Sequence, residues 1–176
     1  MNKAQDWRRT RPNKNGGFSL AELMVAITIL GVLSAIAIDS SIKDWRREKV
    51  NKVAIELSGW LENARRASLK GEACTVTINT GTLAENGTLA TATCMSRWPL
   101  QIALQDANSS FSITASTTSL TFTPRGSVHP GSGTINIGIA LNPDLGISRC
   151  VAIQGLLGEI GIGKGNSSSC VTQQRV

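Results

Sequence analysis

The first hydrophobic stretch of the chain is long and contains a single charged residue. Residues 18–38 are uncharged except for Glu22, which lies near the start of the run. A helix of this length extends about 30 Å, which matches the hydrocarbon layer of a membrane. An ionised carboxylate in hydrocarbon costs about 2.5 kcal/mol or more, and acids in such segments usually mark a function. The pattern therefore predicts a membrane-length helix in which Glu22 has a specific role.

A second, amphipathic pattern follows the apolar run. Beyond Asp39, apolar residues recur at every third or fourth position with Lys, Arg and Glu between them, which is typical of a helix with one buried face. Gly71 occupies the position after a helix end that glycine favours. We predict one helix over residues 20–69, with an apolar half at 18–38 and an amphipathic half at 39–70.

From residue 71 onward the pattern is that of short β-strands. Runs rich in Thr, Ile and Val alternate with polar residues and are separated by Gly, Asn, Ser and Pro clusters, including the favoured hairpin dipeptide Asn86-Gly87. The predicted strands are residues 74–78, 89–94, 100–104, 111–114, 120–123, 134–139, 150–153 and 160–162. The predicted fold class is α+β, with the long N-terminal helix packed on an antiparallel β-rich head at 71–176.

Charge is unevenly distributed along the chain. The 176 residues carry 18 Lys and Arg against 12 Asp and Glu, a net charge of +6. Residues 1–17 hold five of the bases and one of the acids, and this excess predicts a cytoplasmic N-terminus and an exported head. The remaining 13 bases and 11 acids leave +2, and residues 43–70 hold eight bases and four acids. Residues 71–176 hold five of each, so a basic nucleic-acid-binding face is not evident, and anionic lipids or acidic subunits are the expected partners of the helix.

The residues around Glu22 carry a family resemblance. Gly17-Phe18-Ser19-Leu20-Ala21-Glu22-Leu23-Met24 resembles the G-F-[ST]-L-x-E-[LM] processing site of type IV prepilins and type II secretion pseudopilins. The resemblance implies that a prepilin peptidase removes residues 1–17 by cutting between Gly17 and Phe18, and that the new Phe18 amine is methylated. It also implies that Glu22 pairs with that amine on a neighbouring subunit, which would explain the acid in the apolar run. At Asp39 the chain departs from the family, in which many members have a helix-bending proline.

Weaker patterns resemble the GspH/FimT branch of pilin-like proteins. They are the helix end and first strand, from Leu61-Glu62-Asn63-Ala64-Arg65-Arg66-Ala67-Ser68 to Val76-Thr77-Ile78, then Phe122-Thr123-Pro124-Arg125-Gly126, and Arg149-Cys150-Val151-Ala152-Ile153. The branch implies a β-sandwich-like or β-barrel-like head packed on the C-terminal half of the helix.

Four cysteines fit an exported protein. Cys74, Cys94, Cys150 and Cys170 include no C-x-x-C pair, and His129 is the single histidine, so disulfides are favoured over zinc. Three pairings are open, and we favour Cys74 with Cys94 and Cys150 with Cys170. Each would close a loop of about 20 residues and contribute about 3 kcal/mol. We expect no metal and no cofactor.

Catalytic and nucleotide-binding motifs are weak. His129 lies in a Gly/Ser-rich stretch without a neighbouring acid, so we predict an exposed loop histidine and no enzyme activity. The stretch from Gly158 to Lys164 satisfies G-x-x-x-x-G-K, but Gly165 replaces the required Ser or Thr and no helix pattern follows. A glycine-rich hairpin is the predicted structure.

The sequence thus predicts a non-enzymatic minor pilin or pseudopilin with a single membrane pass and a periplasmic head. After processing it would join other subunits in a type IV pilus or type II secretion pseudopilus, at or near the tip. One alternative is a DNA-binding minor pilin for DNA uptake, with contacts from Lys164, Arg175 and Arg125, although Glu159 stands where related DNA-binding proteins often have arginine. The other is an ordinarily secreted β domain, cleaved after Ala35-Ile36-Ala37.

Overall fold

The computed structural model of the chain describes residues 17–84, 86–102, 110–129, 133–142, 146–155 and 157–172, with no description of the side chains at 35–40. The predicted leader, apart from Gly17, lies outside these ranges. Arg175 also lies outside them.

One helix, α1, runs from Leu20 to Ser68 and contains 49 residues. It continues through Asp39 and ends one residue before the predicted boundary. Gly71 follows with a φ of 117° and donates its N–H to the Ser68 carbonyl at 3.1 Å, so a left-handed glycine closes the helix as expected. Contacts within the chain divide it into two compact units, Met1–Ser41 and Ile42–Val176.

Residues 20–34 of the first unit are all exposed within the described part of the chain. Every large apolar side chain from Phe18 to Leu33 is at least 55% exposed. By length and mean hydropathy, the described helical residues include no segment that qualifies as a membrane span. The predicted single-pass topology therefore stays a prediction.

The second unit contains the amphipathic half of α1 and, in the described residues, eleven strands and one short 3₁₀ helix at Thr93–Met95. The strands are β1 Cys74–Ile78, β2 Gly81–Leu83, β3 Thr88–Ala92, β4 Leu100–Gln101, β5 Ser110–Ala115, β6 Ser119–Phe122, β7 Val128–His129, β8 Thr134–Asn142, β9 Ser148–Gln154, β10 Glu159–Gly165 and β11 Cys170–Thr172.

These strands form two sheets. The order in the five-stranded sheet is β4-β3-β1-β6-β7, and in the six-stranded sheet it is β11-β10-β9-β8-β5-β2. Every neighbouring pair is antiparallel. The predicted α+β class, a long helix with an antiparallel β head, is confirmed.

One hydrophobic core joins the helix to both sheets. Leu57 and Leu61 of α1 are fully buried in the same cluster as Phe122 of the five-stranded sheet and Phe111 and Ile137 of the six-stranded sheet. Alternation along the strands explains this packing, since Cys74, Val76 and Ile78 of β1 are buried while the residues between them are not. The amphipathic half of α1 thus supplies a third layer to the head.

Three short strands, β2, β7 and β11, were not predicted. The predicted strand 89–94 extends too far, because Thr93 and Cys94 lie in the 3₁₀ helix, and residues 103–104 of the predicted strand 100–104 lie outside the described residues. The Asn86-Gly87 prediction was wrong in one respect. Asn86 does adopt the left-handed conformation with φ 59°, but the strands on either side, β2 and β3, belong to different sheets. The turn therefore passes the chain from one sheet to the other instead of closing a hairpin.

The C-terminal strand β11 is folded towards the outer face of its sheet. It pairs with β10, yet Cys170 is disulfide-bonded to Cys150 of β9, with 5.8 Å between their Cα atoms. Strands two apart in a flat sheet are separated by about 9.5 Å. A hydrogen bond from Gln154 Nε2 of β9 to Thr172 Oγ1 at 3.3 Å crosses β10 in the same way.

Candidate processing and assembly site

The predicted cleavage site lies in exposed, non-helical chain. Gly17, Phe18 and Ser19 precede the first helical residue, Leu20, and all are exposed. A Cβ added to Gly17 would meet no atom within 4 Å. A peptidase could therefore reach the Gly17–Phe18 bond without unwinding the helix, and the preference for glycine there does not come from packing within this chain.

Glu22 caps the helix that contains it. Its Oε2 accepts a hydrogen bond from the backbone N–H of Ser19 at 2.9 Å, and the Leu23 N–H donates to the Ser19 carbonyl at 3.1 Å. Ser19 is thus the N-cap residue and Glu22 the third helical residue, and their contact is the bond that the acid supplies in a capping box. This contact uses the amide between Phe18 and Ser19, which would remain after cleavage at Gly17. The S-x-x-E spacing from Ser19 to Glu22 is the signal in the sequence for this cap.

The helix is fastened to the head by polar contacts near its C-terminal end. Ser68 is fully buried, and its hydroxyl lies 2.7 Å from the Arg65 carbonyl and 3.1 Å from the Thr123 carbonyl. Arg65 Nε donates to the carbonyl of Gly126 at 3.3 Å. Gly126 has a φ of 76°, and an added Cβ would lie 3.2 Å from Leu69 Cδ2. The turn after β6 is therefore hydrogen-bonded to the last turn of the helix.

A tryptophan pair makes a second attachment. Trp60 of α1 donates its indole N–H to the carbonyl of Trp98 at 2.9 Å. The Trp98 N–H donates to the Met95 carbonyl at 2.9 Å, and the Trp98 side chain remains 75% exposed. The backbone of this loop is thus held against the helix while its aromatic ring faces outward.

Both favoured disulfides are present. Cys74 of β1 is bonded to Cys94 in the 3₁₀ helix, with 5.1 Å between their Cα atoms. Cys150 is bonded to Cys170, and each pair is separated by 20 positions in sequence. The first disulfide continues the register of the β1–β3 pair, whereas the second fixes β11 over the outer face of the six-stranded sheet.

Alternating glycines in β10 make room for β11. Gly161, Gly163 and Gly165 lie on one face of this strand, two residues apart. An added Cβ on Gly163 would overlap the Val171 carbonyl and lie 2.9 Å from Thr172 Cα, and one on Gly165 would overlap the Ser169 carbonyl. The glycine-rich stretch is therefore a strand whose missing side chains allow β11 to lie close to it. This agrees with the predicted glycine-rich hairpin. Their spacing in the sequence places the glycines on one face, but it does not indicate that β11 covers that face.

The residues considered for DNA contact do not all lie together. Lys164 and Arg125 are exposed, and the turn that holds Arg125 lies at the Gly158 end of β10, since the Gly126 carbonyl is 3.4 Å from a Cβ built on Gly158. Lys164 is near the other end of that strand, about 17 Å further along it. Arg175 is outside the described residues, so DNA contact stays a prediction.

No metal site is formed by the described residues, among which no three His, Cys, Asp or Glu side chains are suitably grouped. His129 is exposed as expected, but it lies in the short strand β7 and pairs with Thr121 instead of occupying a loop. Nothing tests the expected absence of a cofactor or of enzyme activity.

Comparison with known families supports the N-terminal interpretation. Residues 12–38 match the prokaryotic N-terminal methylation motif. The matched range includes Gly17, Phe18 and Glu22, so the chain carries the processing motif of type IV pilin-like proteins. Among curated proteins, no sequence matches this chain significantly.

Two solved structures resemble about 70% of this chain distantly. Both are crystal forms of the type IV minor pilin FimU of Pseudomonas aeruginosa PAO1. In the P21 form the identity is 22% and the TM-score 0.47, over 71% of this chain and 94% of that one. In the P65 form the values are 18% and 0.44, over 69% and 96%. With both TM-scores below 0.5, these resemblances support no conclusion about partners or function.

Proposed function

We propose that this chain is the precursor of a minor pilin or pseudopilin of the GspH/FimT branch. A prepilin peptidase cuts between Gly17 and Phe18 and the Phe18 amine is methylated. Before assembly, the mature protein resides in the bacterial inner membrane with a cytoplasmic N-terminus and a periplasmic head. It then joins other subunits in a type IV pilus or a type II secretion pseudopilus, at or near the tip.

The observation that carries this proposal is the exposed apolar half of α1. Its large apolar side chains up to Leu33 are at least 55% exposed. So long an exposed apolar surface needs lipid or other helices around it. The methylation motif at residues 12–38 overlaps this same surface. A segment that is first surrounded by lipid and later by neighbouring helices satisfies both observations.

Glu22 fits the two environments through two different partners. In the single chain its carboxylate accepts the Ser19 N–H, which partly compensates a charge placed in an apolar segment. On assembly the Glu22 carboxylate pairs with the methylated amine of Phe18 in a neighbouring subunit. If a subunit were misplaced, the carboxylate would remain unpaired. Glu22 therefore sets the register of the subunit, and the disulfide-bonded head remains available for other minor subunits or cargo.

The experiment that tests the proposal is the intact mass and N-terminal sequence of the protein recovered from its host's membranes. We expect an N-terminus at Phe18 with one added methyl group. An N-terminus near Ile38 would instead identify an ordinarily secreted β domain and overturn the proposal. Gly17→Ala should slow or block the cleavage. Gly31→Ala is the matched control, because a Cβ at Gly31 also meets nothing within 4 Å but lies away from the cleavage site.

A further inference from the structure

A cluster of basic residues and one tryptophan lies at the start of the second unit of the chain. We define the basic collar as Trp45 together with the five bases Lys43, Arg46, Arg47, Lys49 and Lys52. Asp44 and Glu48 are the two acids within this stretch, so its net charge is +3. Residues 71–176 are neutral overall, with five bases and five acids, so the base excess is confined to the helix.

The geometry of the collar is that of an interfacial anchor. Trp45 is 53% exposed and Ile42 46% exposed, although both belong to the unit that contains the hydrophobic core. Lys49 Nζ lies 3.4 Å from the centroid of the Trp45 ring, a cation–π contact that holds an ammonium group against an aromatic face. Tryptophan is enriched at the level of lipid head groups, where its ring is apolar and its N–H is hydrated.

Two ion pairs of the collar with nearby acids are exposed to solvent. Asp44 pairs with Arg47 at 3.2 Å, with side chains 73% and 63% exposed, and Glu56 lies 3.9 Å from Lys52. Exposed pairs of this kind contribute little and exchange readily with other anions. The excess of positive charge in the collar is complementary to the phosphate groups of anionic lipids.

We infer that the basic collar binds the phosphate head groups of anionic phospholipids on the periplasmic side of the membrane, with Trp45 inserted at head-group level. This inference rests on the proposed membrane anchoring, because the collar follows the exposed apolar stretch directly in the sequence. A few bases near an anionic surface each strengthen attraction to it, and the effect disappears as salt increases. The collar would hold the head at a fixed height until the subunit is extracted for assembly.

The test uses the full mature chain in vesicles of phosphatidylcholine, or of phosphatidylcholine with about a third phosphatidylglycerol. A membrane-impermeant amine reagent labels lysines, and mass spectrometry compares Lys43, Lys49 and Lys52 with Lys70 and Lys164 of the same molecules. We expect labelling of the collar lysines, relative to the two head lysines, to fall about threefold or more in the anionic vesicles. High salt should restore it.

Matched variants isolate the charge of the collar. In Arg47→Gln/Lys52→Gln, protection of Lys43 and Lys49 should fall towards the value in neutral vesicles. Arg97→Gln/Arg125→Gln removes the same charge from the head and should leave the protection unchanged. Equal labelling of the collar in both vesicles, or equal protection of Lys70 and Lys164, would overturn the inference and leave membrane anchoring intact. Extraction of the wild-type protein from either vesicle by alkaline wash would overturn the anchoring itself.

Discussion

Gly163 permits the close approach of β10 and β11, and Gly163→Ala tests that packing directly. The Cβ that this substitution adds would overlap the Val171 carbonyl oxygen and lie 2.7 Å from Val171 C and 2.9 Å from Thr172 Cα. All three are backbone atoms, so no side-chain rotation relieves the contact. Because ordinary contacts begin near 3.4 Å, Thr172 Cα would have to move by roughly 0.5 Å or more.

The energetic cost has two parts. Overpacking of this kind typically costs about 1–3 kcal/mol. The same movement carries Cys170, two residues before Thr172, away from Cys150. If the disulfide no longer forms, the loss of a cross-link over about 20 residues adds about 3 kcal/mol. We therefore expect a loss of about 1–3 kcal/mol with the disulfide formed, and about 4–6 kcal/mol when it is absent.

The assay combines thermal unfolding with intact mass after alkylation of free thiols. For a domain of this size, each 1 kcal/mol lowers Tm by about 2–4 °C. Gly59→Ala is the matched control, because Gly59 lies in α1, a Cβ there meets nothing within 4 Å, and the change should stabilise the helix by up to about 1 kcal/mol. An unchanged Tm for Gly163→Ala, with both disulfides formed, would refute the packing of β11 described above.

Three further substitutions test single contacts. Glu22→Gln keeps an oxygen for the Ser19 N–H but loses the charge, so we expect normal processing and filament incorporation reduced severalfold, as for Glu22→Ala; incorporation equal to wild type would show that the cap suffices. Trp60→Phe removes the hydrogen bond to the Trp98 carbonyl and should cost about 1 kcal/mol in urea unfolding, with a more mobile loop by hydrogen exchange. Ser68→Ala removes the hydroxyl beside the Thr123 carbonyl, which still accepts the Gly126 N–H, and should lower the free energy of unfolding in urea by about 1 kcal/mol; an unchanged urea midpoint would mean that this contact adds nothing.

Some predictions succeeded because they depend on short stretches of sequence. Helical spacing beyond Asp39 and the glycine at 71 define a helix end to within one residue. Alternation of β-branched and polar residues located eight of the eleven described strands, with β1 at the predicted boundaries. These features depend on neighbours within a few positions, and one sequence contains all of that information.

Other features depend on residues far apart in the chain. The sequence only favoured one of three cysteine pairings, and the placement of β11 over β9 decided it. Gly163 is needed because the backbone of Val171 lies against it, and this contact depends on how β10 and β11 pair. Ser68 likewise looks like an ordinary helical serine until the Thr123 carbonyl is placed beside it.

The sequence by itself determined the processing motif, the two halves of the helix and the β-rich character of the head. The tertiary structure decided which sheet each strand joins, which face of β10 is covered, and how the turn at Gly126 holds the end of the helix. The physical reason is that strands with the same alternation can pair in many orders. The order is selected by the shared core and by close backbone contacts between distant segments.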